Sequence, residues 1–391
     1  MKICDLTQFY SPVSGGVKRY LAEKTAYLRT RTADQHVLVV PGERTDVQDD
    51  GPTRTYTISS PLVSRTSRYR ALINLGAVER VLERERPDLI ECGDPYQIAW
   101  KALASGKALG IPVVGFYHSH FPEAYFRTVS KFLGQTATAM VMDAARRYVR
   151  ALYRRFARTL VPSAPLAAVL ADWGVPNVAA VDLGVDPTVF HPGDEHGEPS
   201  ARAELNLPPY TTVLLYVGRL SHEKNTQTLF AAFHRLCRRR AGRFHLVVIG
   251  DGQQRRLVKA LQDKTGAVTW HPYCSNPREL ARFYRAADLF VHPGVQETFG
   301  LVTLESQACG TPVVGIRGSY MDRIVFSDLG SWAAENRPES LANAIEQNSR
   351  VDLRAVGLRS SRIVAERYNW PRVFDRLFGI YREVVAGFHR D

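Results

Sequence analysis

The 391-residue chain contains no uninterrupted apolar run near the ~18 residues that a membrane-crossing helix needs. Its first ten residues, MKICDLTQFY, hold one lysine and a short apolar stretch, too little for the apolar core of a secretory leader. A cytoplasmic protein is therefore expected, resting at most peripherally on the inner face of a membrane. Cysteine is scarce: Cys4, Cys92, Cys237, Cys274 and Cys309 are scattered, odd in number and show no C-x-x-C spacing. That speaks against a disulfide framework or a zinc site and fits a reducing compartment. There is no low-complexity tract and no short-period repeat. Acidic side chains fall short of basic ones, 39 against 51, leaving a net charge of +12. A basic surface attracts polyanions: phosphate-bearing ligands, anionic lipid headgroups or nucleic acid. A nucleic-acid binder would interleave basic residues with exposed aromatics. Here most aromatics sit inside apolar runs, and no nucleic-acid partner is expected.

What is present is the composition of a soluble globular protein, 45% hydrophobic and 23% charged. The length suits two domains. Short apolar runs alternate with helical patterns, as in parallel βαβ folding. Strands are expected near Lys2–Leu6, His36–Val40, Asp88–Glu91, Ile111–Tyr117 and Thr159–Val161, with helices such as Val17–Leu28 and Gly76–Glu85 between them. Residues 186–210 are rich in Pro, Gly and charge, which is linker composition. Strands resume at Thr212–Val217, His245–Ile249, Leu289–Val291 and Pro312–Val314. The fold class is α/β: two Rossmann-like, doubly wound parallel-sheet domains, residues 1–190 and 191–369, with a last helix over 370–391. Such sheets bind ligands at the carboxyl ends of their strands, so the site is expected in an inter-domain cleft. Trp370, Val373, Phe374, Leu377, Ile380, Tyr381 and Val384 recur at helical spacing and describe an amphipathic closing helix.

Four places carry chemistry. After the first strand, Gly15-Gly16 lets the backbone approach a bulky anion, and the following helix start offers N–H groups and a positive dipole. Alone, a Gly-Gly turn is only a turn. After the first strand of the second half come Gly218-Arg219 and Lys224-Asn225, whose cations suit phosphate oxygens. Residues 297–305 read Glu-Thr-Phe-Gly-Leu-Val-Thr-Leu-Glu. Phe299-Gly300 passes from loop to helix near Leu301. Glu297 and Glu305 would stand at most ~12 Å apart, a span that matches the two diol-bearing ends of a nucleotide sugar. His118, in Phe116-Tyr117-His118-Ser119-His120, closes an apolar strand and faces the expected cleft. His118 and His120 share a strand face, yet no carboxylate or cysteine cluster completes a metal site. Gly250-Asp251-Gly252 is a poor dinucleotide fingerprint and reads as a strand-to-helix turn.

Taken in order, these residues resemble the retaining GT-B glycosyltransferases of family four. The resemblance covers almost the whole chain. It runs through Gly15-Gly16, His118, Gly184-Val185-Asp186 before Phe190-His191-Pro192, Gly218-Arg219 with Lys224-Asn225, Gly250-Asp251-Gly252, the Glu297–Glu305 element and Ala308-Cys309-Gly310-Thr311-Pro312-Val313-Val314. It implies that Gly15 and Gly16 help seat the donor diphosphate. Arg219 and Lys224 would neutralise it as charge develops on the leaving group. Glu297 would bind hydroxyls of the transferred sugar and Glu305 the ribose, with backbone groups of Phe299, Gly300 and Leu301 beside them. His118 would contact the sugar. The implied reaction is hexose transfer with retention, by front-face attack, from a nucleotide-diphosphate sugar, without metal or cofactor; the sequence has no Asp-x-Asp. The last helix would cross back to the first domain. Two departures stand out. Leu183 replaces the Asn that often precedes Gly184, and Tyr320-Met321-Asp322-Arg323 follows Gly318 where a Pro-Glu pair is common.

The stretch His118-Ser119-His120-Phe121-Pro122 is similar to that of bacterial GDP-mannose-using mannosyltransferases and glycolipid-making relatives. GDP-mannose is thus the first expectation for the donor, and UDP-glucose or another UDP-sugar the second. The acceptor would be a glycan, a lipid-linked glycan or a glycolipid. In residues 145–158, Arg146, Arg147, Arg150, Arg154 and Arg158 recur at helical spacing beside Val149, Leu152, Tyr153 and Phe156. This is either a helix lying on anionic lipid or a domain helix with a solvated arginine face. A sugar-nucleotide epimerase of the same architecture is the rival reading, and it would need no acceptor.

Overall fold

Strands whose two faces both meet helices read as continuous apolar runs, and such runs set the frame of this protein. Its computed structural model describes residues 1–11, 15–63, 68–118, 135–193, 201–295, 299–319, 324–327 and 332–388. The chain divides into two units, Met1–Leu183 with Trp370–Asp391, and Gly184–Asn369. The first unit runs β1 (Lys2–Leu6), α1 (Gly16–Arg31), β2 (Gln35–Gly42), β3 (Asp46–Asp50), β4 (Thr53–Ser59), α2 (Leu75–Glu85), β5 (Leu89–Cys92), α3 (Gln97–Leu109), β6 (Val113–Phe116), α4 (Gln135–Tyr153), β7 (Arg158–Val161), α5 (Ala164–Asp172) and β8 (Val178–Ala180). The second runs α6 (Ala201–Glu204), β9 (Thr212–Val217), α7 (Thr226–Arg239), β10 (Phe244–Ile249), α8 (Arg255–Thr265), β11 (Val268–His271), α9 (Pro277–Ala286), β12 (Leu289–His292), α10 (Leu301–Ala308), β13 (Val313–Gly315), α11 (Pro338–Asn348) and α12 (Leu353–Arg367). The chain then returns to the first unit as α13 (Trp370–Phe388).

The first sheet has the order β3-β4-β2-β1-β5-β6-β7-β8 and the second β11-β10-β9-β12-β13. All described pairs are parallel except β3 with β4. In each sheet the order turns back beside the first strand. The connections leaving β1 and β5, and those leaving β9 and β12, therefore open a crevice at the carboxyl ends of the strands. Both expected strand-end motifs lie at these switch points.

The expected strands appear, most of them shifted by a residue or two. Four more were not foreseen: β3, β4, β8 and β11. The unit boundary falls between Leu183 and Gly184, ahead of residue 190. The physical reason is local: Val185 N–H donates to the Tyr368 carbonyl at 2.7 Å, and Val185 bridges Asn369 in parallel fashion. The chain has thus entered the second unit before the linker-like stretch, of which residues 194–200 lie outside the described residues.

Of the two alternatives for the stripe on α4, the structure takes the domain helix. Val149, Leu152 and Tyr153, with Phe156 just beyond the helix, are buried in the first unit's core and do not face lipid. The arginines take the other face. Arg146 lies over the Trp173 ring at 5.5 Å, and Arg147 pairs with Asp143 at 2.9 Å. Helix α13 buries Trp370, Val373, Phe374, Leu377, Phe378, Tyr381 and Val384, so Phe378 joins the buried face while Ile380 is half-buried at its margin. Phe374 packs against Tyr20 and Tyr27 of α1 at 5.8 and 5.3 Å between ring centroids. The Tyr27 hydroxyl donates to Asp375 at 2.6 Å. Burying one such side chain contributes about 1.5–3 kcal/mol, so α13 is a fixed part of its unit.

Candidate functional site

In the second unit the site grows from the loop leaving β9. Gly218 N–H donates to the Ile249 carbonyl, and Leu220 N–H to the Asp251 carbonyl, at 2.9 and 3.0 Å. These bonds lash the loop to the one leaving β10. Tyr216 then donates its hydroxyl to the Arg219 carbonyl at 2.9 Å, fixing the backbone that presents an exposed Arg219 side chain. Lys224 follows on the same loop, its N–H directed to the Ser221 hydroxyl at 3.4 Å. Both cations thus stand at the carboxyl end of β9.

Asn225 opens α7 at φ +56°, a left-handed conformation that asparagine tolerates. Its Nδ2 donates to the Pro293 carbonyl at 2.8 Å and to Asn336 Oδ1 at 2.7 Å. Pro293 directly follows β12. Asn225 therefore clamps the two sides of the switch point, a role that no local sequence pattern disclosed beyond the unusual backbone asparagine allows.

On the β12 side, Gly300 precedes α10 at φ +83°, with no side-chain cap on the helix among the described residues. The amino end of α10 thus presents its first N–H groups at the switch point, a suitable seat for anionic oxygens. Phe299 is buried and Leu301 half-buried, so the backbone here is what a ligand would meet. Glu305 sits in the second turn of α10, only 4% exposed, and its Oε2 accepts the Tyr284 hydroxyl at 3.1 Å. Glu297 lies outside the described residues, as do Pro12, Ser119, His120 to Pro122, and Tyr320 to Arg323.

Gly250 is a tight backbone position beside this loop. Its φ is +143°, and an added β-carbon would lie 1.9 Å from the Gly218 carbonyl oxygen. Alanine there must push away the strand end that carries Arg219. Gly250→Ala is expected to destabilise the unit by about 2 kcal/mol or more and to weaken donor binding by about tenfold. Thermal unfolding and calorimetry check this; wild-type values in both would refute it.

In the first unit, Gly15 is exposed and nothing lies within 4 Å of the place its β-carbon would take. Gly16 begins α1, also exposed. The loop between β1 and α1 is anchored by a residue that no motif marked. Asp94, 1% exposed at the end of β5, accepts the Gln8 N–H on Oδ2 at 2.7 Å. Burial pushes its carboxyl up to about 7, against the opposing hydrogen bonds from Gln8, Thr7 and Phe9. Its sequence signal was only an acidic residue after a strand.

His118 follows β6, and its ring stacks on Phe116 at 3.9 Å and 4°. Burial, with the nearby Lys24 cation, lowers its pKa to about 3 against the opposing Asp5 charge. The imidazole is neutral at ordinary pH and can exchange hydrogen bonds without carrying charge. Beneath it lies a buried polar cluster. Lys24 Nζ donates to Asp5 Oδ1 and to the Tyr381 hydroxyl, both at 2.8 Å, and lies 3.4 Å from Glu91 Oε2. His36 Nε2 meets Asp5 Oδ2 at 2.7 Å. Burial opposes ionisation of Asp5, but Lys24 and His36 outweigh it and hold this carboxyl well below the usual range. Burial likewise pushes Glu91 up.

Comparison with known proteins fits this arrangement. The family model described as Glycosyltransferase Family 4 matches residues 14–189, and the one described as Glycosyl transferases group 1 matches residues 198–350. A GDP-mannose-dependent alpha-(1-6)-phosphatidylinositol dimannoside mannosyltransferase of Mycobacterium tuberculosis is 32% identical over 385 residues, covering 95% of this chain and 93% of the relative. Among solved structures, sucrose-phosphate synthase from Thermosynechococcus elongatus superposes with a TM-score of 0.75 at 21% identity, covering 99% of both chains. Anabaena HepE, solved in complex with UDP and glucose, gives 0.71 at 17% identity, covering 98% of this chain and 100% of that one. These two share the fold.

Proposed function

Since the chain belongs to glycosyltransferase family 4, a family of GT-B fold, we propose that it transfers a hexose, mannose before glucose, from a nucleotide-diphosphate sugar to a glycan or glycolipid acceptor with retention of the anomeric configuration. The observation that carries this reading is the gathering at the β9/β12 switch point. Two cations, Arg219 and Lys224, stand at the end of β9, and the amino end of α10, with the buried Glu305 a turn further on, follows β12 beside it. Cations and helix N–H groups suit a diphosphate, and a carboxylate held by Tyr284 suits a ribose diol. Glu297 completes the sugar side in this reading. In this reading the second unit binds the donor through Arg219, Lys224 and Glu305.

The chemistry follows from charge. Breaking the bond from sugar to phosphate leaves negative charge on the departing diphosphate, which Arg219 and Lys224 stabilise where it develops. That role needs no metal. The donor phosphate oxygen takes the acceptor proton on the face that the leaving group vacates. GDP-mannose is favoured because the relative sharing nearly the whole chain is named for it, and its name also places a glycolipid first among acceptors.

Calorimetry decides the donor. GDP-mannose, UDP-glucose and UDP-N-acetylglucosamine are titrated without added metal into the wild type and Glu305→Ala. GDP-mannose is expected to bind, and the variant to bind it at least about tenfold more weakly. Binding unaffected by the substitution would remove Glu305 from the ribose site, and tight binding of a UDP-sugar alone would reassign the donor. NMR of the product then reads the anomer. Isomerised donor formed without acceptor would replace transfer by epimerisation. With the α4 stripe buried, a peripheral membrane contact rests on basic charge. It predicts sedimentation with anionic vesicles and not with neutral ones.

A further inference from the structure

The ring of His118 is enclosed on three sides. Phe116 backs it in parallel, at 3.9 Å between centroids. Tyr20, from α1, meets it edge-on at 5.3 Å and 63°, and meets Phe116 at 5.3 Å and 66°. On the third side stands Gly93, at the end of β5. A β-carbon on Gly93 would lie 3.3 Å from His118 Cδ2 and 3.5 Å from Nε2. The Cδ2–Nε2 edge of the imidazole is therefore turned toward the β1/β5 switch point, where ligands of such sheets bind.

Tyr20 is itself held. Its hydroxyl donates to Glu91 Oε1 at 3.1 Å, and Glu91 also accepts the Tyr381 hydroxyl from α13. Its ring lies 5.4 Å below the Lys24 ammonium and packs on Trp370 and Phe374. At 1% exposure the ring has no room to turn aside. A T-shaped contact between an aromatic ring and an imidazole is attractive and orienting.

We propose that Tyr20 is the positioning residue of His118: with Phe116 behind it, it fixes the plane of the imidazole so that the Cδ2–Nε2 edge faces the end of β5. This rests on the reading of His118 as a group of the transferase site. The charged and titratable groups about the pair are Lys24 from α1, Asp5 from β1, His36 from β2, Glu91 from β5 and Tyr381 from α13. They surround a ring that stays neutral, so what Tyr20 controls is hydrogen-bond direction and not charge.

The test uses the full-length enzyme carrying Tyr20→Leu, Tyr20→Phe, Gly93→Ala or His118→Gln. Each is measured for melting temperature, for kcat and donor KM per folded enzyme, and for histidine ring NMR signals, with His118 assigned by its own replacement. Tyr20→Leu is expected to lower kcat by about tenfold to a hundredfold with donor KM within about twofold, and to shift the His118 ring signals. Tyr20→Phe, which keeps the ring, is expected to recover kcat to within about threefold. Gly93→Ala crowds the Cδ2–Nε2 edge of the imidazole and is expected to lower kcat with Tyr20 intact. A purely structural role would move the melting temperature and leave kcat and the His118 signals in place; that result overturns the proposal. If Tyr20→Leu does not fold, Gly93→Ala decides, and wild-type kcat with unmoved His118 signals overturns it. Full kcat in His118→Gln would instead strike the reading of His118 in the site, while the ring signals of the other variants still report its positioning.

Discussion

Arg219→Ala is expected to lower kcat by about a hundredfold to a thousandfold, with a melting temperature near that of the wild type. The stability half follows from exposure. The Arg219 side chain projects outward, and what fixes the loop is its backbone carbonyl under the Tyr216 hydroxyl, which the substitution leaves in place. The activity half follows from where charge appears. A guanidinium beside the departing diphosphate gains most when the sugar–phosphate bond breaks, so kcat should fall further than donor KM rises. Arg219→Lys should rescue poorly, because an ammonium cannot present the planar fork. Lys224→Ala should act in the same direction, and the double variant should lose less than the product of the single effects, since both serve one leaving group. Steady-state kinetics per folded enzyme checks this. A kcat for Arg219→Ala within about threefold of wild type would remove Arg219 from leaving-group stabilisation.

Lys24→Met has the largest expected effect on stability. Lys24 is fully buried, and its ammonium binds Asp5 and the Tyr381 hydroxyl and faces Glu91. Removing it leaves two buried carboxyls without their cation, at a cost of about 3–5 kcal/mol. For a unit of this size that is a fall in melting temperature of about 10 °C. The loss should depend on pH. In the wild type the Asp5 pKa is depressed, so its stabilisation is present above the unfolded value and is lost as pH falls through the folded one. Without Lys24, burial acts unopposed by that cation and raises both carboxyls. The folded variant then binds protons more readily than the unfolded chain, and its deficit should shrink as pH falls from 8 toward 5. Melting curves at those two pH values read the difference. An equal deficit at both, or a deficit under about 1 kcal/mol, would show that Lys24 does not hold the cluster together.

What is local in this fold is legible in the order of its residues. Continuous apolar runs mark β1, β9, β10 and β12, and glycines or cations just beyond them mark strand ends, so the switch-point motifs stand out from the residue pattern alone. Three of the four unforeseen strands escaped because of where they lie in their sheets. Every residue of β3, Asp46–Asp50, is exposed, and this acidic stretch is a strand only because it pairs with β4. Strands β8 and β11 lie at sheet edges and are mostly half-buried, so they lack the fully buried pattern of the strands between them. Amphipathicity left two readings open at α4, because a helix stripe looks the same whether it meets a core or a membrane. Of the candidate site residues, Arg219, Lys224, Gly300 and Glu305 lie after strands as their order in the sequence suggests. The Asn225 clamp, the Asp94 anchor and the contact of Tyr20 with His118 join segments far apart in the chain. No spacing rule reports such pairs.

Helix α13 follows the second unit in the chain, yet it belongs to the unit that precedes it. During synthesis, β1, α1 and β5 emerge with Asp5, Lys24 and Glu91 in hand, while the Tyr381 hydroxyl that completes their bonding is still to be translated. The second unit is contiguous and can close in the meantime, so the later half of the protein is free to finish before the earlier one. The first unit becomes complete only after the whole of the second has been translated. A chain cut short before Trp370 carries a buried charge cluster open to water and an apolar face on α1 with nothing to cover it, which marks it for the proteases and chaperones that survey unfinished products.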